Sequence, residues 1–176
     1  MAGLRAFKCY RRIKRAYTRK SKFKKKGYVK AVPSSKIVKY VFGDLKKTFP
    51  NEISLISKSN VQIRHNALES CRQIVNRHLH ESMGPNYLFR IRLYPHHVLR
   101  EHKILTGAGA DRMSKGMQLA FGKATGIAAQ VKEGQKLFSV FVDPENIAKA
   151  KEALAKAKAR LPNQWSIIEE KPKINK

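Results

Sequence analysis

The sequence predicts an α+β fold, a single domain of short mixed strands with two main helices behind a basic N-terminal arm. Three observations carry that reading. Segments such as "YLFRIRLY" alternate apolar and polar residues with period two, as a half-buried strand requires. "NALESCRQIVNRHL" and "IAKAKEALAKAKARL" repeat their apolar residues at helical spacing. Residues 1–43 contain no acidic residue and many cations, so that stretch cannot build a core of its own.

In chain order, the arm occupies 1–34, where "RRIKRAYTRK" and "SKFKKKGYVK" crowd cations around Tyr10, Tyr17, Phe23 and Tyr28. Such a run is extended or disordered alone and orders when phosphates neutralise it. The folded domain is expected over 35–170. "KIVKYVFG", "EISLIS" and "NVQIRH" are β-branched and alternating, and predict three short strands through about His65. Asn66 then opens a helix with Glu69 as its capping-box partner, burying Leu68, Cys71, Ile74 and Val75 until Gly84-Pro85 stops it. His78 falls on the apolar face and reads as a packed or hydrogen-bonded histidine. The other histidines (His65, His80, His96, His97 and His102) show no ligand spacing, so no metal is expected.

In "YLFRIRLY", Tyr87, Phe89, Ile91 and Leu93 point to the core, and Leu88, Arg90, Arg92 and Tyr94 point away. That second face is either solvated or a phosphate-contacting surface. "HVLREHKIL" is a further strand. "GIAAQV" and "KLFSVFV", joined by the turn Lys132-Glu133-Gly134-Gln135, read as a hairpin. Asp143-Pro144 caps the second helix, with Ile147, Ala150, Leu154, Ala157 and Leu161 inward and Lys149, Lys156 and Arg160 facing away. "QWSII" is the last strand, before a polar tail at 171–176.

The 38 Lys and Arg stand against 12 Asp and Glu, a formal charge of +26, so the chain requires a polyanionic partner. Nucleic acid is favoured because aromatics interleave with the cations and can stack on exposed bases. A membrane surface is disfavoured, since no strongly amphipathic or lipidated segment accompanies the charge and no apolar run is long enough to span. The first residues lack a secretory apolar stretch, and Lys dominates too far inward for a mitochondrial transit peptide, so an intracellular location is expected. Cys9 and Cys71 are isolated thiols, and Cys71 reads as a small core residue.

The stretch "LTGAGADRMSKG" (105–116) invites a catalytic reading and fails it. Gly107 and Gly109 begin a dinucleotide fingerprint, but Arg112 stands where its third glycine belongs. "GKAT" at 122–125 lacks the upstream glycine spacing of a phosphate loop, and Ala124 replaces the hydroxyl that would hold magnesium. Glu101, His102 and Asp111 do not form a paired acid set, because strand neighbours point to opposite faces. What remains is backbone able to approach a bulky partner closely, with Arg112 and Lys115 able to meet phosphate.

"AGADRMSKGMQLAFGK", with "CYRRIKRAY", "PSSKI", "FRIRLYPHHV", "VKEGQKLFSV" and "AKEALAKAKARLP", resembles the large-subunit ribosomal protein sixteen family, in its archaeal and eukaryotic ten-e branch. The likeness runs through most of the chain. It implies a hammerhead-like α/β domain and a structural role in the cytoplasmic large ribosomal subunit. There the protein is held by ribosomal RNA beside the tRNA cleft, between the peptidyl-transferase centre and the 5S RNA, among neighbouring ribosomal proteins. It also implies that the loop at about 103–115 extends toward tRNA.

On this reading the chain is non-catalytic and needs no cofactor. The residues expected to touch rRNA are Arg5, Arg11, Arg12, Lys14, Arg15, Arg19, Lys24, Lys25, Arg90, Arg92, Arg100 and Lys123. Gly107, Ala108, Gly109, Ala110, Asp111, Arg112 and Lys115 form the tRNA-proximal loop. Two other classes compete: an RNA-processing enzyme built on Asp111, Glu101 and a histidine, and a general basic nucleic-acid binder.

Overall fold

A computed structural model describes residues 6–13, 23, 25, 29, 31–102 and 122–171. Among the described residues eight strands form two antiparallel sheets: β1 (Val41–Gly43), β2 (Asn51–Ser57), β3 (Val61–Arg64), β4 (Leu88–Ile91), β5 (His97–Glu101), β6 (Lys123–Val131), β7 (Lys136–Val142) and β8 (Trp165–Glu170). The larger sheet runs β1-β4-β7-β2-β8 and the smaller β3-β6-β5. Two helices, α1 (His65–Met83) and α2 (Ile147–Lys158), pack on each other. α2 also lies against β2, β7 and β8, and α1 against β3 and β6.

Period-two alternation sorts the larger sheet into two faces. Phe89, Val140 and Ile53 align across β4, β7 and β2, as do Ile91, Phe138 and Leu55; all six are buried. Leu68, Cys71, Val75 and Leu79 of α1 and Ala150, Ala153, Leu154 and Ala157 of α2 complete this core with no exposed surface. The alanines of α2 let the helix sit close to its neighbours. Burial pushes the Cys71 thiol up to about 12, and its Sγ donates to the Ala157 carbonyl at 3.7 Å, so it is the inert core thiol expected of it.

The α+β class, both helices and the strand character of the predicted segments hold, while several local expectations do not. The largest correction concerns the hairpin: β6 and β7 are consecutive and never pair. β7 lies between β4 and β2, whereas β6 lies between β3 and β5. The turn between them is a corner linking the sheets, fastened where Gly134 N–H donates to the Ser57 carbonyl (2.9 Å) and Ser57 N–H to the Gln135 carbonyl (3.1 Å). β2 and β3 cross the same corner in the same way.

"KIVKYVFG" contributes only Val41–Gly43 to a strand. Earlier amides go to side chains instead: Lys36 N–H to His65 Nδ1 (3.2 Å) and Ile37 N–H to the Ser35 hydroxyl (3.1 Å). The capping box does not form. α1 begins at His65, and Glu69 turns along the helix to Arg72 (2.7 and 2.8 Å) and Gln73 (3.0 Å). Asp143 caps nothing with its side chain. Its carboxylate meets Lys47 Nζ at 2.7 Å, and a 3-10 turn (Pro144–Asn146) intervenes before α2.

Lys149, Lys156 and Arg160 are exposed, as expected, and each also reaches a partner on α1. Lys149 reaches the Ser82 carbonyl (3.3 Å), Lys156 the His78 Nδ1 (3.0 Å) and Arg160 the Ser70 hydroxyl (2.5 Å), all on α1. His78 is therefore a hydrogen-bonded residue at the helix seam, also 3.5 Å from Glu152.

Gly43 closes the β1 edge at φ +93°, and a Cβ there would lie 1.9 Å from the Tyr87 carbonyl oxygen. Gly43→Ala should therefore cost on the order of 2–4 kcal/mol, read as a lowered urea midpoint. A change within roughly 0.5 kcal/mol, the range of an ordinary surface substitution, would contradict the close approach.

Candidate nucleic-acid interface

Among the described residues, Arg11, Arg12, Arg90, Arg92, Arg100 and Lys123 fall into three clusters. The first is at the N-terminus. Phe7–Cys9 coil into a 3-10 turn, so this stretch of the arm is not an extended chain, and Tyr10 is buried at 8 % exposure. β3 is an edge strand, and the turn docks on it: Gln62 N–H donates to the Arg11 carbonyl (2.9 Å) and Gln62 Nε2 to the Tyr10 carbonyl (2.8 Å). Arg11 and Arg12 are exposed beside this anchor, with the Arg11 guanidinium 5.8 Å over the Phe7 ring. Lys25 is also exposed. Arg5, Lys14, Arg15, Arg19 and Lys24 lie outside the described residues.

The second cluster is on the outer face of the larger sheet. Arg90 aligns with Val41 on one side and Ser139 on the other, and its Nε is buried with no hydrogen-bond partner among the described residues. Arg92 follows β4 and donates Nε to Ser139 (3.1 Å) and Nη2 to Glu52 (3.3 Å). Glu52, which sequence reasoning did not single out, is the node of this face. Its Oε1 accepts from Ser139 (2.7 Å), Ser54 (2.9 Å) and Lys136 (3.0 Å) besides Arg92.

Burial alone would raise the Glu52 pKa. The hydrogen bonds from Ser139, Lys136 and Ser54 outweigh it and hold the carboxyl at about 2. Lys136 is pulled further, to Glu170 at 2.8 Å. The signal available in the sequence was the position of Glu52 opposite the core-facing Ile53 and Leu55 in "EISLIS". Tyr94, half exposed, continues the face by stacking on Tyr40 at 5.6 Å, with His96 beside it at 4.4 Å.

The third cluster stands at the root of 103–121. Arg100 and Glu101 end β5, Lys123 begins β6, and Lys123 pairs across to Glu101. Gly107, Ala108, Gly109, Ala110, Asp111, Arg112 and Lys115 lie outside the described residues. "GKAT" enters a strand, not a helix, so it has no helix N-terminus to offer a phosphate.

Two cations that were not selected from sequence join the first cluster to the third. Arg64 lies on the outward face of β3, its guanidinium 4.9 Å over Tyr10. Lys36 lines, with Arg64, His65, Leu99 and Thr125, a cavity of about 340 Å³ reaching the β5–β6 pair. His65 there is held below its ordinary pKa by burial and by the charges of Lys36 and Arg64, so it adds no charge at neutral pH. Arg64 was legible as the outward partner of Ile63 in "NVQIRH".

Most of the described acids, by contrast, are engaged within the fold. Glu52, Glu69, Glu81, Asp143, Glu152, Glu169 and Glu170 each sit within ion-pair distance of a basic side chain. Among the described residues no group of three or more His, Cys, Asp or Glu could hold a metal ion, and no helix is long and apolar enough to cross a membrane.

The match that decides the family covers most of the chain: the model described as Ribosomal protein L16p/L10e aligns with residues 14–168. The chain belongs to the ribosomal protein L16p/L10e family. Among curated relatives, the large ribosomal subunit protein uL16 of Methanococcus maripaludis (strain S2) is 49 % identical over 173 residues, covering 97 % of this chain and 96 % of the relative. The protein of the same name from Methanococcus aeolicus is 49 % identical over 168 residues, covering 94 % of each. That from Methanospirillum hungatei is 46 % identical over 161, covering 90 % and 91 %. The L16p/L10e family consists of structural ribosomal proteins, so the resemblance carried by "AGADRMSKGMQLAFGK" holds. The enzyme reading on Asp111, Glu101 and a histidine falls.

Because the folded-state pKa of Glu52 lies below its ordinary 4.5, its contribution to stability is present above about pH 4.5 and lost as pH falls toward 2. Glu52→Gln should cost about 1–3 kcal/mol in urea unfolding at pH 7, with the gap to wild type closing by pH 2–3. A gap independent of pH would show that the carboxylate charge is not what holds Arg92 and Lys136.

Proposed function

We propose that this chain is a structural constituent of the cytoplasmic large ribosomal subunit that binds rRNA in the region between the peptidyl-transferase centre and the 5S RNA. The observation that carries the reading is the division of charge. The described carboxylates are mostly engaged within the fold, while Arg11, Arg12, Arg64, Arg90, Arg100 and Lys123 are grouped at surface clusters. A folded RNA supplies phosphates at the density such clusters need, and phosphate contacts position a protein without reading sequence. The near full-length match to proteins named for the large subunit supports the same placement.

In this reading the chain works as three parts. The arm at 1–34 threads between RNA helices, anchored to the domain by Tyr10 and Arg11 on β3. The domain at 35–170 seats on rRNA through shape and exposed bases, since the narrow major groove of A-form RNA excludes side chains. The loop at about 103–115, rooted between Arg100 and Lys123, reaches toward tRNA as a feeler. Residues 171–176 are a polar tail, and neighbouring ribosomal proteins share the surface.

Sedimentation of cell extract should find the chain migrating with the large ribosomal particle, and a stable free pool in growing cells would overturn the placement. Deleting Gly107 to Arg112 should spare incorporation and impair tRNA accommodation by the resulting subunits. Failed incorporation, with normal tRNA handling in whatever subunits form, would make the loop a structural clasp.

A further inference from the structure

Between the N-terminal turn, the start of α1 and the end of α2 lies a cavity of about 300 Å³. Phe7, Tyr10 and Leu161 give it apolar walls, Arg11, Arg64 and Arg160 give it cations, and no carboxylate lines it. Two of those guanidiniums lie over aromatic rings, Arg64 on Tyr10 at 4.9 Å and Arg11 on Phe7 at 5.8 Å.

The walls are held in place. Gln62 fixes the backbone of Tyr10 and Arg11, and Ser70 holds Arg160 at 2.5 Å. Little ordering remains for a ligand to impose, which favours binding.

We propose that this cavity receives one unpaired nucleobase of the bound RNA, with Arg11, Arg64 and Arg160 meeting the phosphates on either side. The proposal rests on the rRNA-binding reading above and adds to it a defined site and mode of recognition. Three guanidiniums without a carboxylate select an anionic ligand. The exposed Phe7 ring and the guanidinium planes of Arg64 and Arg11 select a planar one, because unstacked RNA bases stack on aromatic rings and on guanidiniums alike. The volume is at the low end of small-molecule pockets, enough for a single base and too small for a duplex. An acidic side chain of a neighbouring protein would satisfy the charge but leave the apolar walls unfilled.

Ala159, exposed at the C-cap of α2, lines the cavity, so Ala159→Trp fills it without altering charge. With full-length chain at roughly 200 mM salt, the variant should bind a single-stranded oligouridylate about tenfold more weakly than wild type, the loss of one base–aromatic stack. Binding to an RNA duplex of equal length should change less than about twofold, because phosphate contacts persist. Unchanged single-strand affinity, or an equal loss on both RNAs, overturns the proposal.

Cross-linking wild-type chain to the same strand carrying 4-thiouridine does not depend on the variant's folding. The adduct is expected on the peptide containing Phe7 to Arg11, and adducts confined to other segments overturn the site. If wild type binds neither RNA, the rRNA reading fails as well. If it binds both and is indifferent to the filled cavity, only the base pocket fails.

Discussion

Positive charge in excess of anything the fold can neutralise is the constraint on which the rest of this structure depends. With 38 basic and 12 acidic residues, each carboxylate left free would weaken attraction to a polyanion, and each cation left unpaired adds self-repulsion. The described fold answers by drawing its acids into local pairs: Glu69 to Arg72 within α1, Glu152 to Lys156 within α2, and Asp143 to Lys47 across the sheet end. Glu52 is the extreme case, a buried carboxylate with four donors on one oxygen. What remains is a large positive surplus, and its balance must come from another molecule.

The topology decides where that surplus sits. β2 and β7 pair in the larger sheet, and at one corner the chain passes from β2 into β3 of the smaller sheet and from β6 of the smaller sheet back into β7. That corner places β3 at an open edge, where an unpaired strand is a ready template. The N-terminal turn covers part of the edge and brings Arg11 beside Arg64. Toward the other side of the small sheet the end of β5 lies beside the start of β6, which brings Arg100 near Lys123. A single three-stranded sheet thus holds the N-terminal turn at its β3 margin and the Arg100 and Lys123 pair of ends on its β5–β6 side.

Much of this was legible in the chain. Period two in "YLFRIRLY" assigned Phe89 and Ile91 to the core and Arg90 and Arg92 to the far face, and the helical stripes named Leu68, Cys71, Val75 and Leu154. Partnership was not legible. "GIAAQV" and "KLFSVFV" carry every local mark of a hairpin, yet pairing is settled by β2, β3, β4 and β5, and no short-range pattern contains that information. The same limit hid Glu52, whose donors Arg92, Lys136 and Ser139 are 40 to 87 positions away in sequence. It also hid the partners of Lys156 and Arg160, exposed as expected, on the neighbouring α1. Local competition explains the smaller misses: Ser35 and His65 accept amides that a strand over 36–43 would have needed for its ladder.

The most direct measurement is the affinity of the full-length chain for a large-subunit rRNA fragment as a function of salt. If six to ten cations engage phosphates, raising salt from roughly 50 to 200 mM should weaken binding by about a thousandfold or more, linearly on logarithmic axes. An affinity that stays level across that range would contradict the claim that RNA phosphate supplies the missing countercharge.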